Sequence, residues 1–209
     1  DTASILFDRI KSDSKLYFES QVNALFCQAY IGDHKKINER LLNINANTKK
    51  EEEVLLIISL YSNLLNHNYK KFDEDFKDLK IDIEYLKPYI EYLNTYRKEY
   101  GEIKTKSPFL GGLFSAIIPG SGKFYAGYRK KALSSTFGVL PAGAVCAETL
   151  IKNGPRSPHF IVSSAFFLVF YTGNIVGSFY SVPIYKKEKL DELNKKVYID
   201  IHHIIRRSF

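Results

Sequence analysis

Residues 160–185 read FIVSSAFFLVFYTGNIVGSFYSVPIY, a run without a single charged side chain. About 20 predominantly apolar residues suffice for a helix to cross the hydrocarbon of a bilayer, so this run predicts a membrane span. Working back along the chain, residues 132–151 read ALSSTFGVLPAGAVCAETLI and are also long enough, with one ionisable group, Glu148. Before them, residues 108–126 read PFLGGLFSAIIPGSGKFYA, marginal in length and interrupted by Pro119-Gly120. A buried soluble core would have to accommodate three such segments in succession, joined by only a few residues each. The composition therefore favours a membrane domain of about three spans over residues 107–185.

All three segments place small residues where helices can approach closely. Gly111, Gly112, Ser115 and Ala116 lie on the first, Ser135, Gly138, Ala142 and Gly143 on the second, and Gly173 and Gly177 form a GxxxG pair on the third. Lipid tails are as apolar as leucine, so membrane helices associate through close backbone packing at such residues. The expected partners are lipid and other membrane proteins, or further copies of this chain.

The rest of the 209 residues is of another kind. Residues 1–106 are charged and aromatic, and their apolar positions follow a helical step, as at Leu55, Ile58, Leu60 and Leu64 behind the acidic run Glu51-Glu52-Glu53. Leu86, Ile90 and Leu93 repeat the step, with Pro88 placed for a first turn or a kink. Lys36-Ile37-Asn38-Glu39-Arg40-Leu41 matches Lys71-Phe72-Asp73-Glu74-Asp75-Phe76 at an offset of 35. Each copy follows a longer apolar stretch and a polar turn, Ile31-Gly32-Asp33-His34 or Asn66-His67-Asn68. This period resembles that of tetratricopeptide helix pairs over residues 14 to 100, and a non-repetitive helical bundle is the alternative. The fold class is all-α: a tetratricopeptide-like domain, then a three-segment membrane domain. Residues 186–209 form a third part, where Leu190, Leu193, Val197, Ile201 and Ile204 recur at helical steps among basic residues. Such a helix lies on an anionic membrane surface or covers a partner, or it extends the last span as an ordinary cytoplasmic helix.

The net charge of +7, from 30 Lys+Arg against 23 Asp+Glu, is too small to indicate nucleic acid. Cys27 and Cys146 fall in different halves and His34, His67, His159, His202 and His203 are scattered, so neither a disulfide framework nor a metal site is expected, and no cofactor. No nucleophile stands with a base, so no catalytic residue is assigned and the chain is read as a non-enzyme. Pro119-Gly120-Ser121-Gly122-Lys123 falls short of a phosphate-binding loop, since Ile117 and Phe124 stand where Gly and Ser or Thr are needed. The chain opens with Asp1 and contains no Met, which suggests a leader removed by cleavage. With three spans, Arg129-Lys130-Lys131 and the basic tail share one side, the cytoplasm by the positive-inside rule, and residues 1–106 face outward.

The stretch PGSGKFYAG, with Pro119, Gly120, Gly122, Phe124, Tyr125 and Gly127, followed by Phe170-Tyr171-Thr172-Gly173-Asn174-Ile175-Val176-Gly177, resembles bacterial membrane proteins related to TM2 domains. In these a PGxGxxYxG turn joins two helices and an FYxGNxxG-like stretch comes later. The resemblance covers residues 108 to 185. It implies an inner-membrane protein with a periplasmic helical domain and a cytoplasmic tail, serving as a scaffold or accessory subunit in secretion, membrane insertion or envelope biogenesis. A small oligomeric transporter using Glu148 and Asn174 is the alternative. For Glu148 three readings stand: hydration near the membrane edge, a hydrogen bond to Asn174 or a tyrosine, and a proton relay.

Overall fold

The computed structural model describes residues 2–31 and 34–209, and among these every regular element is helical. The chain forms two compact units, residues 1–102 with 190–209, and residues 103–189.

The first unit opens with α1 (Thr2–Phe7), α2 (Tyr17–Ile31), α3 (His34–Asn43), α4 (Lys49–Leu65) and α5 (Tyr69–Lys77). A 3₁₀ turn at Glu84–Leu86 then leads into α6 (Lys87–Glu102). Pro88 sits in the first turn of α6, where its missing N–H costs no helical bond. The acidic run at the start of α4 divides its labour. Glu51 closes a capping box with Thr48, whose hydroxyl accepts from Glu51 N–H at 3.2 Å while Glu51 Oε2 accepts from Thr48 N–H at 3.1 Å. Glu53 is buried, and its Oε2 accepts from the backbone N–H groups of Asp82 and Ile83 at 3.0 Å each, pinning the loop before α6.

Two helical hairpins, α2/α3 and α4/α5, occupy the positions of the repeated segments. Ile37 and Phe72, equivalent at the offset of 35, are both fully buried, as an inward-facing repeat position requires. The tetratricopeptide assignment itself goes beyond these hairpins and stays a reading of the sequence; Gly32 and Asp33 of the first expected turn lie outside the described residues. In the second turn His67 takes a left-handed φ of 54°.

The core of this unit is Val22, Leu25, Ile57, Ile58, Tyr61, Leu64, Phe72 and Leu93, joined by Val197, Ile201 and Ile204 from the end of α10 (Pro158–Ser208). The tail thus continues α10, as one of the sequence readings allowed. Its apolar stripe is covered by protein, with Val197 and Ile204 at 0% exposure, so it is not a helix laid on lipid. Hydrogen bonds from Tyr100 to Asn194 at 2.6 Å and between Tyr85 and Ser208 at 2.9 Å fasten it further. Residues 1–102 and the tail thus belong to one folded unit, whereas the sequence reading assigned them to opposite compartments.

The second unit contains α7 (Pro108–Ile117), α8 (Ser121–Ala126), α9 (Arg129–Asn153) and the first part of α10. The expected first span is here two short helices. At 1.5 Å per residue the ten residues of α7 reach about 15 Å, half of a hydrocarbon core. Among the described residues two helices, α9 and α10, are long and apolar enough to cross a membrane, and only 6% of the most apolar stretch of each is buried. They form an antiparallel hairpin. At its open end Tyr128 donates to Glu188 at 2.5 Å and its ring lies 5.0 Å from Tyr185. At the closed end the hydroxyls of Thr149 and Ser163 meet at 2.7 Å.

Candidate functional site

The two sequence motifs of the second unit converge on one another, and Pro119 is the reason. In a helix the carbonyl of Ser115 would accept from the N–H four residues on, which Pro119 lacks. Asn174 of α10 supplies the donor instead: its Nδ2 donates to Ser115 O at 3.1 Å. The Oδ1 of the same amide accepts from Gly120 N–H at 3.1 Å, which takes that N–H away from its helical acceptor, the carbonyl of Ala116. Tyr171, three residues before Asn174 and on the same face, fills that vacancy by donating its hydroxyl to Ala116 O at 2.6 Å. Thus the FYTGN stretch completes the helix end that the PGSG stretch breaks. The Pro119 carbonyl accepts from Thr136 of α9 at 2.8 Å, so both long helices of the unit hold the turn.

Close packing surrounds these bonds. Gly122 N–H donates to Ser115 Oγ at 2.9 Å, and Ser115 Oγ donates to Ser178 Oγ at 2.7 Å. A Cβ on Gly122 would lie 1.7 Å from the carbonyl oxygen of Gly111. Gly120 and Gly127 take φ of 88° and 123°, conformations that glycine adopts without steric cost. Asn174 is 4% exposed, and its amide both donates to and accepts from the Pro119 turn.

The other expected site residues separate into distinct settings. Tyr125 stacks edge-on against Phe114 at 5.2 Å, with the Lys106 ammonium 5.3 Å from its ring centre. Phe124 is exposed, as an interfacial aromatic would be. Phe170 and Gly173 face outward beside α9, and a Cβ on Gly173 would meet nothing within 4 Å. Gly177 lies against the Lys123 side chain, 3.7 Å from where its Cβ would stand to Nζ. Glu148 is exposed and pairs with Lys152 one turn on, at 2.6 Å. It does not bond to Asn174. Its neighbour Thr149 is level with Ser163, eleven residues from Asn174 along α10, or about 17 Å.

Features the sequence did not disclose lie in the first unit. Asp200, largely buried, accepts from the hydroxyls of Tyr61 at 3.1 Å and Tyr96 at 2.9 Å. Burial raises the Asp200 carboxyl above its ordinary range against the pull of those two hydrogen bonds, and burial likewise raises both tyrosines. A groove of about 460 Å³ runs between α3 and α4, walled by Leu41, Leu42, Leu55 and Leu56, with Leu42 82% exposed. Cys27 and Cys146 are free thiols, and among the described residues no group of His, Cys, Asp or Glu is gathered as for a metal. No family model, curated protein or solved structure matches the chain.

Proposed function

We propose that this chain is a membrane-anchored scaffold that acts by binding: the α9/α10 hairpin holds it in a bilayer, and the first unit presents a helical surface to a partner protein. The observation that carries the reading is the outward apolar surface of the hairpin, where Phe137, Ile151 and Val169 are 74%, 83% and 69% exposed. In water so large an apolar surface is costly, whereas lipid matches it. The resemblance to TM2-like proteins supports the same placement. Two crossings return the chain to the side it came from, consistent with residues 1–102 and the tail folding together. Lys104, Lys106, Arg129, Lys130, Lys131, Lys186 and Lys187 stand at the open end of the hairpin, against Lys152 and Arg156 at the closed end. By the positive-inside rule the folded unit is then cytoplasmic, and this assignment rests on those basic residues alone.

The groove between α3 and α4 is the surface offered for binding, because leucine side chains left open between two helices suit the apolar face of a partner helix. The transporter reading finds less support, since Asn174 spends its amide on the Pro119 turn and Glu148 is paired with Lys152. A photo-crosslinking residue at Leu42 in the full chain, expressed in its membrane, tests the proposal. A single protein adduct that disappears with Leu56→Glu supports it. Absence of any protein adduct, or one indifferent to Leu56→Glu, refutes the groove as the contact surface. Extraction of the chain by alkaline carbonate refutes the anchor.

A further inference from the structure

Along one face of the hairpin, α9 and α10 leave a continuous furrow. Near its open end lies a groove of about 560 Å³ bordered by Lys123, Lys131, Ser135, Gly138 and Gly173. Towards the closed end lies an apolar groove of about 720 Å³ bordered by Ala142, Val145, Val162 and Phe166. Phe170 borders both, so the two abut. The helical register agrees: positions 131, 135, 138, 142 and 145 on α9, and 162, 166, 170 and 173 on α10, recur at three- and four-residue steps and so share a face. From Lys131 to Val145 the furrow is about 21 Å long.

Its two ends differ. At the open end the Lys123 and Lys131 side chains border the same groove. Lys123 Nζ donates to Ser135 Oγ, and the charge acting on it is the like-signed one of Lys131, whose own ammonium rests 3.7 Å from the centre of the Tyr128 ring. No carboxylate of the described residues bonds to either. The other groove is walled mainly by aliphatic and aromatic side chains, with Thr149, His159 and Ser163 gathered where it meets the closed end. Gly173 adds an independent sign. Glycine weakens a helix relative to alanine and is usually kept for the sake of a close neighbour, yet here the space for a Cβ is open.

Resting on the membrane reading above, we propose that the furrow binds one anionic phospholipid from the leaflet that bears the basic residues, its phosphate between Lys123 and Lys131 and an acyl chain along Gly173, Phe170 and Val145. Paired cations choose an anion, and the apolar length chooses an amphiphile over a free phosphate. At about 21 Å the furrow spans a headgroup and one leaflet, which is half of a roughly 30 Å core. Being open to the side, it admits a lipid laterally from the bilayer.

Native mass spectrometry of the full chain in mild detergent, titrated with phosphatidylglycerol and separately with phosphatidylcholine, tests this. The expected result is one retained phosphatidylglycerol in preference to phosphatidylcholine. Lys131→Gln, a change at an exposed side chain, should weaken retention about fivefold, as loss of one basic contact does, and Lys123→Gln likewise. Gly173→Leu should abolish it by filling the furrow. Equal retention of the two lipids, indifference to all three variants, or displacement by millimolar inorganic phosphate overturns the proposal. Carbonate resistance separates the outcomes: a resistant chain that retains no phosphatidylglycerol defeats the lipid site alone, and an extractable chain defeats the anchor and the site together.

Discussion

Replacing Asn174 by Leu tests whether one amide holds the Pro119 turn in place. The side chain is 4% exposed and makes two bonds of 3.1 Å, to Ser115 O and from Gly120 N–H. Leucine has similar volume and removes both, leaving a carbonyl and an N–H without partners, since Pro119 has no N–H to offer. Each such bond contributes about 1 kcal/mol, and each stranded buried group costs about 1–3 kcal/mol in water. Polar contacts between membrane helices average nearer 0.6 kcal/mol. Together these give a loss of about 2–4 kcal/mol. Tyr171→Phe removes one bond and should cost about 1 kcal/mol. Asn174→Asp is the sharper control, because a carboxylate accepts from Gly120 N–H but cannot donate to Ser115 O, and it should be at least as damaging as Leu. The assay is the unfolding equilibrium of the full chain in mixed micelles of a mild and a denaturing detergent. If Asn174→Leu falls within about 0.5 kcal/mol of the parent, as an ordinary surface substitution would, the reasoning fails.

Three further outcomes follow from neighbouring geometry. Gly122→Ala should prevent α7 and α8 from packing, given 1.7 Å from its Cβ to Gly111 O, while Gly173→Ala should be neutral or stabilise by about 0.5–1 kcal/mol; the same micelle titration distinguishes them. Glu53→Ala should speed hydrogen exchange at Asp82 and Ile83, with Glu53→Gln, which keeps an acceptor oxygen, changing it far less. Asp200 carries a pH signature. Its folded pKa lies above the unfolded value of 3.8, so the folded state holds the proton more tightly, and the stability this contributes is present at low pH and lost as pH rises through the folded pKa. Asp200→Asn, neutral throughout, should therefore be more stable than the parent at pH 7, with the gap closing below about pH 4; a gap independent of pH in thermal unfolding would refute the assignment.

Much of this architecture is local and hence visible in residue order. The helical step of residues 54–65, the Thr48–Glu51 cap, the first-turn Pro88 and the glycines at 120 and 127 each depend on neighbours within a few positions. Both motifs of the second unit were legible as motifs. Their meeting was not, because Asn174 finds its partners 54 and 59 residues away, and residue order carries no record of which carbonyl a proline leaves open until the other helix is in place. The stripe Leu193, Val197, Ile201, Ile204 fails for a related reason. Periodicity reports that a face is apolar and is silent on whether lipid or protein covers it.

By itself the sequence determined an all-helical chain with two unlike compositions, and it marked the runs apolar enough to enter a membrane. Tertiary structure alone decided how the interrupted first run is held together, that the tail belongs with the first hundred residues, and that Glu148 and Asn174 have separate partners. Helix formation and hydrophobicity are summed over nearby residues, whereas the partner of a buried amide, and the unit that a tail joins, depend on contacts closed across the whole length of the chain.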